Sequence, residues 1–340
     1  MNKLKVGIAG YGIVGQRRRT YIDRHPLLQT VALCDQKFTQ SSSLENGVSC
    51  YTNYKDMLQE KLDILFVCLP NYLAPEVTMA GLENKLHVFC EKPPGRDMSD
   101  MDAIVKIKNR HPAQRLKYGF NHRYHDSVKE ALRIMESGVM GEVINIRGVY
   151  GKSKVVPFDG NWRSSRKEAG GGILLDQGIH MVDLMRLFNK DEYIEIKSFI
   201  SNNFWKHDVE DNAYVLMKDA QGRVAMLHSS ATQWQHCFSL EINMVNGYLD
   251  LQGILSGTKS YGDEKLVIGR RNDLATGTDR EEVMTFLNDN SWCDEINDFA
   301  DAIVKRQPVD FGGVEDAYKT MKLVYDIYQS DPEWKKRFLS

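Results

Sequence analysis

"LKVGIAGYGIVGQRRRT", residues 4–20, decides the fold. A short apolar run reads as a strand, and Gly10, Gly12 and Gly15 follow it in the spacing G-x-G-x-x-G before a helical pattern at about 13–25. A glycine triplet alone is weak evidence. Placed after a strand and at the head of a helix, it lets backbone N–H groups and the positive end of the helix dipole face a pyrophosphate. Asp35 lies 20 residues past the last of these glycines and closes the second strand pattern, where a carboxylate can accept hydrogen bonds from both ribose hydroxyls. The same carboxylate repels an extra 2′-phosphate, so NAD is expected rather than NADP, although Lys37 and the arginines at 17–19 offset part of that repulsion. The basic run "QRRRT" itself reads as the solvated face of a helix.

The alternation continues outward from this stretch. Apolar runs at 30–35, 63–69, 86–90 and 115–120 are separated by amphipathic segments at 54–60, 73–84 and 98–109. Continuous apolar strands between helices imply an α/β fold with a doubly wound parallel sheet covered on both faces, here a Rossmann domain over residues 1–121. Such sheets bind ligands at the carboxyl ends of their strands. "LPN" (69–71), with Pro70 and Asn71, and "CEKPP" (90–94), with Glu91 and Lys92, occupy those ends and are expected to touch the cofactor. A lysine there lies toward the nicotinamide end, so Lys92 is a candidate to hydrogen-bond a reacting hydroxyl or carbonyl, and Glu91 to hold or tune it. The competing reading is a proline stop followed by a solvated lysine.

At 340 residues, with 42% hydrophobic and 26% charged residues, the chain reads as an ordinary globular protein of two domains. A net charge of −2 gives no pull toward nucleic acid. No stretch approaches the ~18 apolar residues of a membrane span, and the N-terminus lacks a signal-peptide pattern. The six cysteines are scattered without a CxxC pair, which points to reduced thiols and a cytoplasmic location.

Residues 122–290 read differently, as an α/β domain with an open, mostly antiparallel sheet. A helix at about 124–137 and a strand at 142–150 precede a long polar connection at 151–172 and a helix at about 173–188. Another strand pattern begins near 194. Residues 210–230 read as a hairpin turning at "DAQG", and 238–253 as another turning at "NG". The free face of an open sheet must be covered, and pairing with a second subunit is the simplest way to do so. The final segment, 291–340, returns to helix and should pack back on the domains.

Within "LLDQGIHMVD" (174–183), Asp176, His180 and Asp183 fall at i, i+4 and i+7, on one face if the segment is α-helical. Such a face could bind a metal, transfer protons or simply satisfy itself. No metal is expected, because no further His or Cys pair is spaced as ligands and Lys92 can supply the positive charge. Imidazole suits a proton shuttle near neutral pH, so His180 is the candidate general base or acid and Asp176 its orienting partner or a hydroxyl ligand. Asp183 is left a supporting role. "FNHRYH" (120–125), "YGKS" (150–153) and "NWR" (161–163) have the polar and aromatic character of a sugar site, which makes Asn121, Arg123, Tyr124, Lys152, Trp162 and Arg163 substrate candidates. Lys152 and Arg163 also suit a phosphate, so nucleotide-linked sugars stay open.

In this order and spacing, the glycines, Asp35, "LPN", "EKP", "FNHRY" and "GGGILLDQGIHMVDL" resemble the Gfo/Idh/MocA oxidoreductases, the glucose-fructose oxidoreductase and inositol dehydrogenase group. The resemblance spans almost the whole chain, and "EKP" followed by D-x-G-x-H about 85 residues later is its most specific part. It implies an NAD(P)-dependent dehydrogenase or reductase moving hydride between nicotinamide and a CH–OH carbon of a sugar-like substrate, with Lys92, Asp176 and His180 in the family's catalytic positions. It also implies a homodimer or homotetramer paired through the open sheet, and a cis peptide before Pro93. One departure is "LPNYLA": Leu69 and Ala74 stand where many relatives have threonine and histidine, so those two contacts do not carry over. "GVYGKS" and "LLDQGIHMVDL" lean toward relatives in bacterial surface-polysaccharide metabolism. A non-catalytic NAD(P)-binding sensor of the same fold is the alternative, although such a sensor would be expected to lose the lysine or the histidine.

Overall fold

In the computed structural model, which describes residues 3–38, 42–43, 47–155, 161–270 and 280–338, the chain divides into two units. Residues 156–160 of the long polar connection lie outside the described set. The first unit holds residues 1–121, 167–169 and 292–319, and the second holds 122–166, 170–291 and 320–340.

The first unit is built on β1 (Leu4–Ala9), α1 (Ile13–Arg24), β2 (Leu28–Cys34), β3 (Ser42–Ser43), β4 (Ser49–Tyr51), α2 (Tyr54–Met57), β5 (Ile64–Val67), α3 (Ala74–Glu83), β6 (His87–Cys90), α4 (Met98–Arg110) and β7 (Leu116–Tyr118). The strands form one sheet in the order β3-β4-β2-β1-β5-β6-β7, parallel except for the short β3 edge. All four residues of β5 are buried, which is why these strands read as unbroken apolar runs. The reversal of strand order between β1 and β5 puts the glycine loop at the crevice where ligands bind such sheets.

The second unit begins with α5 (Asp126–Glu136), β8 (Val143–Ser153) and, across the described part of the connection, the short α6 (Arg166–Ala169), which ends in the first unit. A π-helical turn, Leu174–Gly178, leads directly into α7 (Ile179–Asn189). There follow β9 (Tyr193–Ser201), β10 (Asn212–Asp219), β11 (Val224–Gln233), β12 (Cys237–Met244), β13 (Gly247–Gln252), β14 (Glu264–Arg270) and β15 (Arg280–Phe286). Their order is β15-β14-β13-β12-β8-β11-β10-β9, antiparallel apart from the β8–β11 pair. Both hairpins read from the sequence are present, β10–β11 and β12–β13. Along β10 the side chains alternate, Ala213, Val215 and Met217 buried and Tyr214 and Leu216 exposed, so one face meets a core and the other is open. Helix α7 covers β8 and β11, and α5 covers β13 to β15.

The C-terminal helices are α8 (Ser291–Val304), α9 (Val314–Ser330) and α10 (Pro332–Phe338). Helix α8 returns to the first unit, where Ile296, Phe299 and Ala300 join Val6, Ile8 and Phe66 in one core. Phe66 and Phe89 stack at 4.8 Å, with Phe299 edge-on to both at 6.1 and 5.6 Å. Each such pair is worth ~1 kcal/mol beyond its buried area.

Candidate active site

The glycine loop requires its glycines for different reasons. Gly10 has φ +89°, and a Cβ there would lie 2.2 Å from the Cys68 carbonyl oxygen. A Cβ on Gly15 would lie 2.0 Å from the Gly10 carbonyl oxygen, so this residue lets the helix start against the loop. Gly12 is the opposite case, since a Cβ there would meet nothing within 4 Å. It faces open space at the N-cap of α1, whose end carries no side-chain cap. Uncapped helix N–H groups beside an opening left by a glycine fit a pyrophosphate. Asp35, just past β2, accepts from the Tyr11 amide at 2.7 Å and the Lys37 amide at 3.0 Å, which fixes its carboxylate beside the loop. These residues fit NAD: the loop would hold the pyrophosphate and Asp35 the adenosine ribose. Lys37 Nζ donates to the Tyr11 carbonyl oxygen, and Arg19 Nη1 donates to the Tyr11 hydroxyl at 2.9 Å.

The basic run departs from expectation. Arg18 is wholly buried, and Arg17 and Arg19 are only partly exposed. The Arg18 guanidinium lies 4.4 Å from the Phe89 ring centroid and 4.2 Å from that of Trp292. Its Nε donates to Glu91 Oε1 at 2.6 Å, while Nη2 stands 2.7 Å from Glu295 Oε2. The helix therefore turns Arg18 inward because two carboxylates and two aromatic faces replace its water. Burial opposes its charge, but Glu91 and Glu295 hold the guanidinium protonated. For Glu295, burial outweighs the attraction of Arg18 and Lys117 and pushes the carboxyl up to about 7. Its contact with Arg18 is close but poorly directed, and among the described residues neither oxygen has a well-aligned hydrogen bond.

Glu91 is thus engaged by Arg18. Its space depends on Gly119, where a Cβ would lie 2.8 Å from Glu91 Oε2. The half-buried Lys92 follows at the end of β6, and the Lys92–Pro93 peptide is cis. At the neighbouring strand end, the Pro70 carbonyl accepts from the Leu73 and Ala74 amides, and Asn71 Nδ2 donates to the Ala169 carbonyl at 2.7 Å. Leu69 packs against Gly10, and Ala74 is buried at the start of α3. Asn121, buried, closes the first stretch of this unit.

In the second unit the motif segment is not one uniform α-helix. The π-helical turn holds Asp176 and gives way to α7 before His180, so the 3.6-residue register behind a single polar face is interrupted between the two. His180 is buried, and Asp176 is partly exposed with its carboxylate 3.8 Å from Arg163 Nε. Asp183 is committed elsewhere. Arg123 Nε and Nη2 donate to its two oxygens at 2.6 Å each, and Thr320 Oγ1 donates at 3.1 Å. Arg123, a substrate candidate from sequence, is buried in this bidentate pair, and Asp183 is no longer available to a metal trio with Asp176 and His180.

The other substrate candidates divide. Tyr124 is buried, whereas Arg163 is exposed with its guanidinium 4.3 Å from the Trp162 ring centroid. Lys152 is pulled down by burial; the Asp176 carboxylate opposes this and Arg163 adds to it. Tyr150 and Tyr261, both near Asp176, are pushed up mainly by burial.

Two residues that sequence reasoning missed shape this region. Glu210 is fully buried and accepts from the Gly172 amide at 2.7 Å, the Leu174 amide at 2.9 Å and the Tyr328 hydroxyl at 2.7 Å. It clamps the entry to the motif, and the triple glycine at 170–172 was its signal: a Cβ on Gly172 would lie 2.1 Å from the Glu210 carbonyl oxygen. The second is His122, whose ring stacks on that of His180 at 3.7 Å and 13°. Nothing in its spacing announced that contact.

Comparison with known proteins agrees with both halves. Residues 4–120 match the family model described as the oxidoreductase family, NAD-binding Rossmann fold, and residues 128–250 match the GFO/IDH/MocA C-terminal domain. The chain is 26% identical over 345 residues to a D-glucoside 3-dehydrogenase of Escherichia coli, covering 96% of this chain and 95% of that one. It is 22% identical over 202 residues to an inositol 2-dehydrogenase of Salmonella typhimurium, covering 58% of this chain and 57% of that protein. Among solved structures, a myo-inositol 2-dehydrogenase from Lactobacillus plantarum superposes with a TM-score of 0.78 at 24% identity over 97% of each chain. A levoglucosan dehydrogenase complexed with NADH and L-sorbose gives 0.83 at 18% identity over 98% of each. With a glycine cradle shaped for NAD and both family domains matched in sequence, this chain belongs to the Gfo/Idh/MocA family of NAD-dependent oxidoreductases.

Proposed function

We propose that this enzyme oxidises a hydroxyl-bearing carbon of a sugar, polyol or glycoside, and catalyses the reverse reduction, with His180 moving the proton. The observation that carries this reading is a buried imidazole on α7, four residues past the partly exposed Asp176, whose carboxylate acts on the half-buried Lys152. Bound NAD supplies the hydride acceptor. In the oxidative direction the substrate hydroxyl gives its proton to a ring nitrogen of His180 as the attached carbon loses hydride; reduction reverses both transfers. Asp176 orients the imidazole or accepts a neighbouring hydroxyl. Lys92 stabilises the oxygen as negative charge develops on it.

Asn121, Tyr124, Lys152, Trp162 and Arg163 form the substrate set in this reading. Arg123 leaves it, since Asp183 occupies the guanidinium. The relatives named for glucosides and inositol support the polyhydroxylated class. Lys152 and Arg163 keep nucleotide sugars within it, and with them the narrower role in surface-polysaccharide metabolism. Exposed Tyr214, Leu216 and Met226 on the open sheet support self-association through that face, and six free cysteines support a reducing cytoplasm. The relatives named as dehydrogenases, with Lys92 and His180 both present, favour the enzyme over the sensor alternative.

The test is NADH formation by the purified protein against panels of inositols, free sugars, glycosides and nucleotide sugars. Turnover of at least one polyhydroxylated class, lost in His180→Ala, is expected. Intact NAD binding with no turnover across all four panels overturns the reading.

A further inference from the structure

The His180 ring does not lie alone in its buried setting. The His122 ring lies parallel to it, centroids 3.7 Å apart. On its own edge, His122 Nε2 shares a hydrogen bond with the Tyr150 hydroxyl at 3.1 Å. His125 stands edge-on to His122 at 5.4 Å, and its Nδ1 is 2.7 Å from Glu264 Oε2. Phe238 lies 6.0 Å from the His122 ring. His122 is 8% exposed and His180 4%, so water screens little of any charge placed on either ring.

We propose that His122 is a positioning residue for proton transfer at His180: anchored to Tyr150, its ring fixes the plane of the His180 imidazole and restricts the stacked pair to one proton. This rests on the reading of His180 as the proton carrier and adds the residue that sets its orientation and charge. A proton on either ring opposes a second on the other, because two like charges would face each other in a weakly screened space. The pair therefore titrates as a unit.

The groups facing the pair are consistent with that role. Tyr150 on β8 and Tyr261 ahead of β14 are pushed up chiefly by burial and remain neutral phenols. On β14, burial works to raise the Glu264 carboxyl, but the hydrogen bond and charge of His125 hold it below its ordinary range. That carboxylate is spent on His125 and on the Ser127 amide at 3.0 Å. Asp183, on α7 itself, is spent on Arg123. Asp176, four residues before His180, has Lys152 and Arg163 around it.

The experiment is an NMR titration of the histidine ring signals in full-length protein, parent and His122→Phe, together with the pH profile of kcat. Phenylalanine keeps the flat stack but cannot bond Tyr150 or take a proton. In the parent, both rings should report one shared proton step, with the second protonation displaced to much lower pH; in His122→Phe, His180 should show one step at a shifted midpoint. The pH profile should move with it, and kcat should fall on the order of 10–100-fold at unchanged NAD affinity. A purely structural stack would leave the His180 midpoint and the profile unmoved, and that result overturns the inference. If His122→Phe does not fold, Tyr150→Phe removes the hydroxyl that bonds His122, with its second bond to Tyr261, and keeps both histidines: a shifted coupled titration that Tyr261→Phe does not reproduce supports the proposal, and an unchanged one overturns it. His180→Ala separates the two ideas. Retained turnover there overturns the proton-transfer reading itself, whereas lost turnover with a normal His122→Phe profile overturns only the role of His122.

Discussion

In the first unit the segment carrying Lys92 hangs on charge, with Glu91 joined to a fully buried Arg18 that also faces Glu295. In the second, the segment carrying His180 is held by backbone amides clamped on Glu210, by a stacked ring and by one bidentate ion pair below it. The charged anchor is sensitive to losing a partner and to pH. The packed anchor is sensitive to shape. Each unit should therefore fail in its own way when a single side chain is changed.

The largest effect should come from the reacting groups. Lys92→Ala should lower turnover by about 10²–10⁴-fold while NAD titration stays near that of the parent, since it removes charge stabilisation and leaves the glycine loop alone. Equal loss of NAD binding would move Lys92 from the chemistry to the cofactor.

Gly10→Ala reverses that pattern. The new methyl would press on the Cys68 carbonyl in a backbone conformation with φ +89°, so NAD binding should be lost in a calorimetric titration while α7 and its surroundings keep their native NMR shifts. Normal NAD affinity would show that the loop is not the cofactor cradle.

Arg18→Leu should cost ~3–5 kcal/mol in urea unfolding, because it leaves Glu91 and Glu295 without the buried guanidinium between them. A loss under ~1 kcal/mol would place Arg18 among weak surface pairs instead.

The same network gives a pH dependence with a definite sign. The Glu295 carboxyl is raised in the folded chain to about 7, from an ordinary value of 4.5. Its contribution to stability is thus fully present below about 4.5 and is lost as pH rises through about 7. Relative to Glu295→Gln, the parent should lose on the order of 3 kcal/mol across that window. Parallel stability curves for the two proteins would contradict the burial argument.

How much of this was legible depends on where the physics lay along the chain. The glycine loop, Asp35 and the strand-end lysine could be read because strand, turn and helix are local and each needs particular residue types within a few positions. Arg18 could not, because its partners Glu91 and Glu295 lie 73 and 277 positions away and an arginine run on a helix normally faces water. The π-helical turn at Leu174–Gly178 interrupts the register on which the i, i+4, i+7 spacing relies, and residue spacing reveals a face only when the register is known. Asp183 and Arg123 were each read alone, and only the fold shows that they satisfy one another. His122 was hidden for the same reason: a ring stack between residues 58 apart leaves no periodic trace.

The most direct test of the account is His180→Ala, with NAD affinity and substrate-dependent NADH formation measured on the same preparation. The division of labour described here predicts unchanged affinity and turnover lowered by at least about 10²-fold. Unchanged turnover, or NAD affinity lost in parallel with it, would contradict that division.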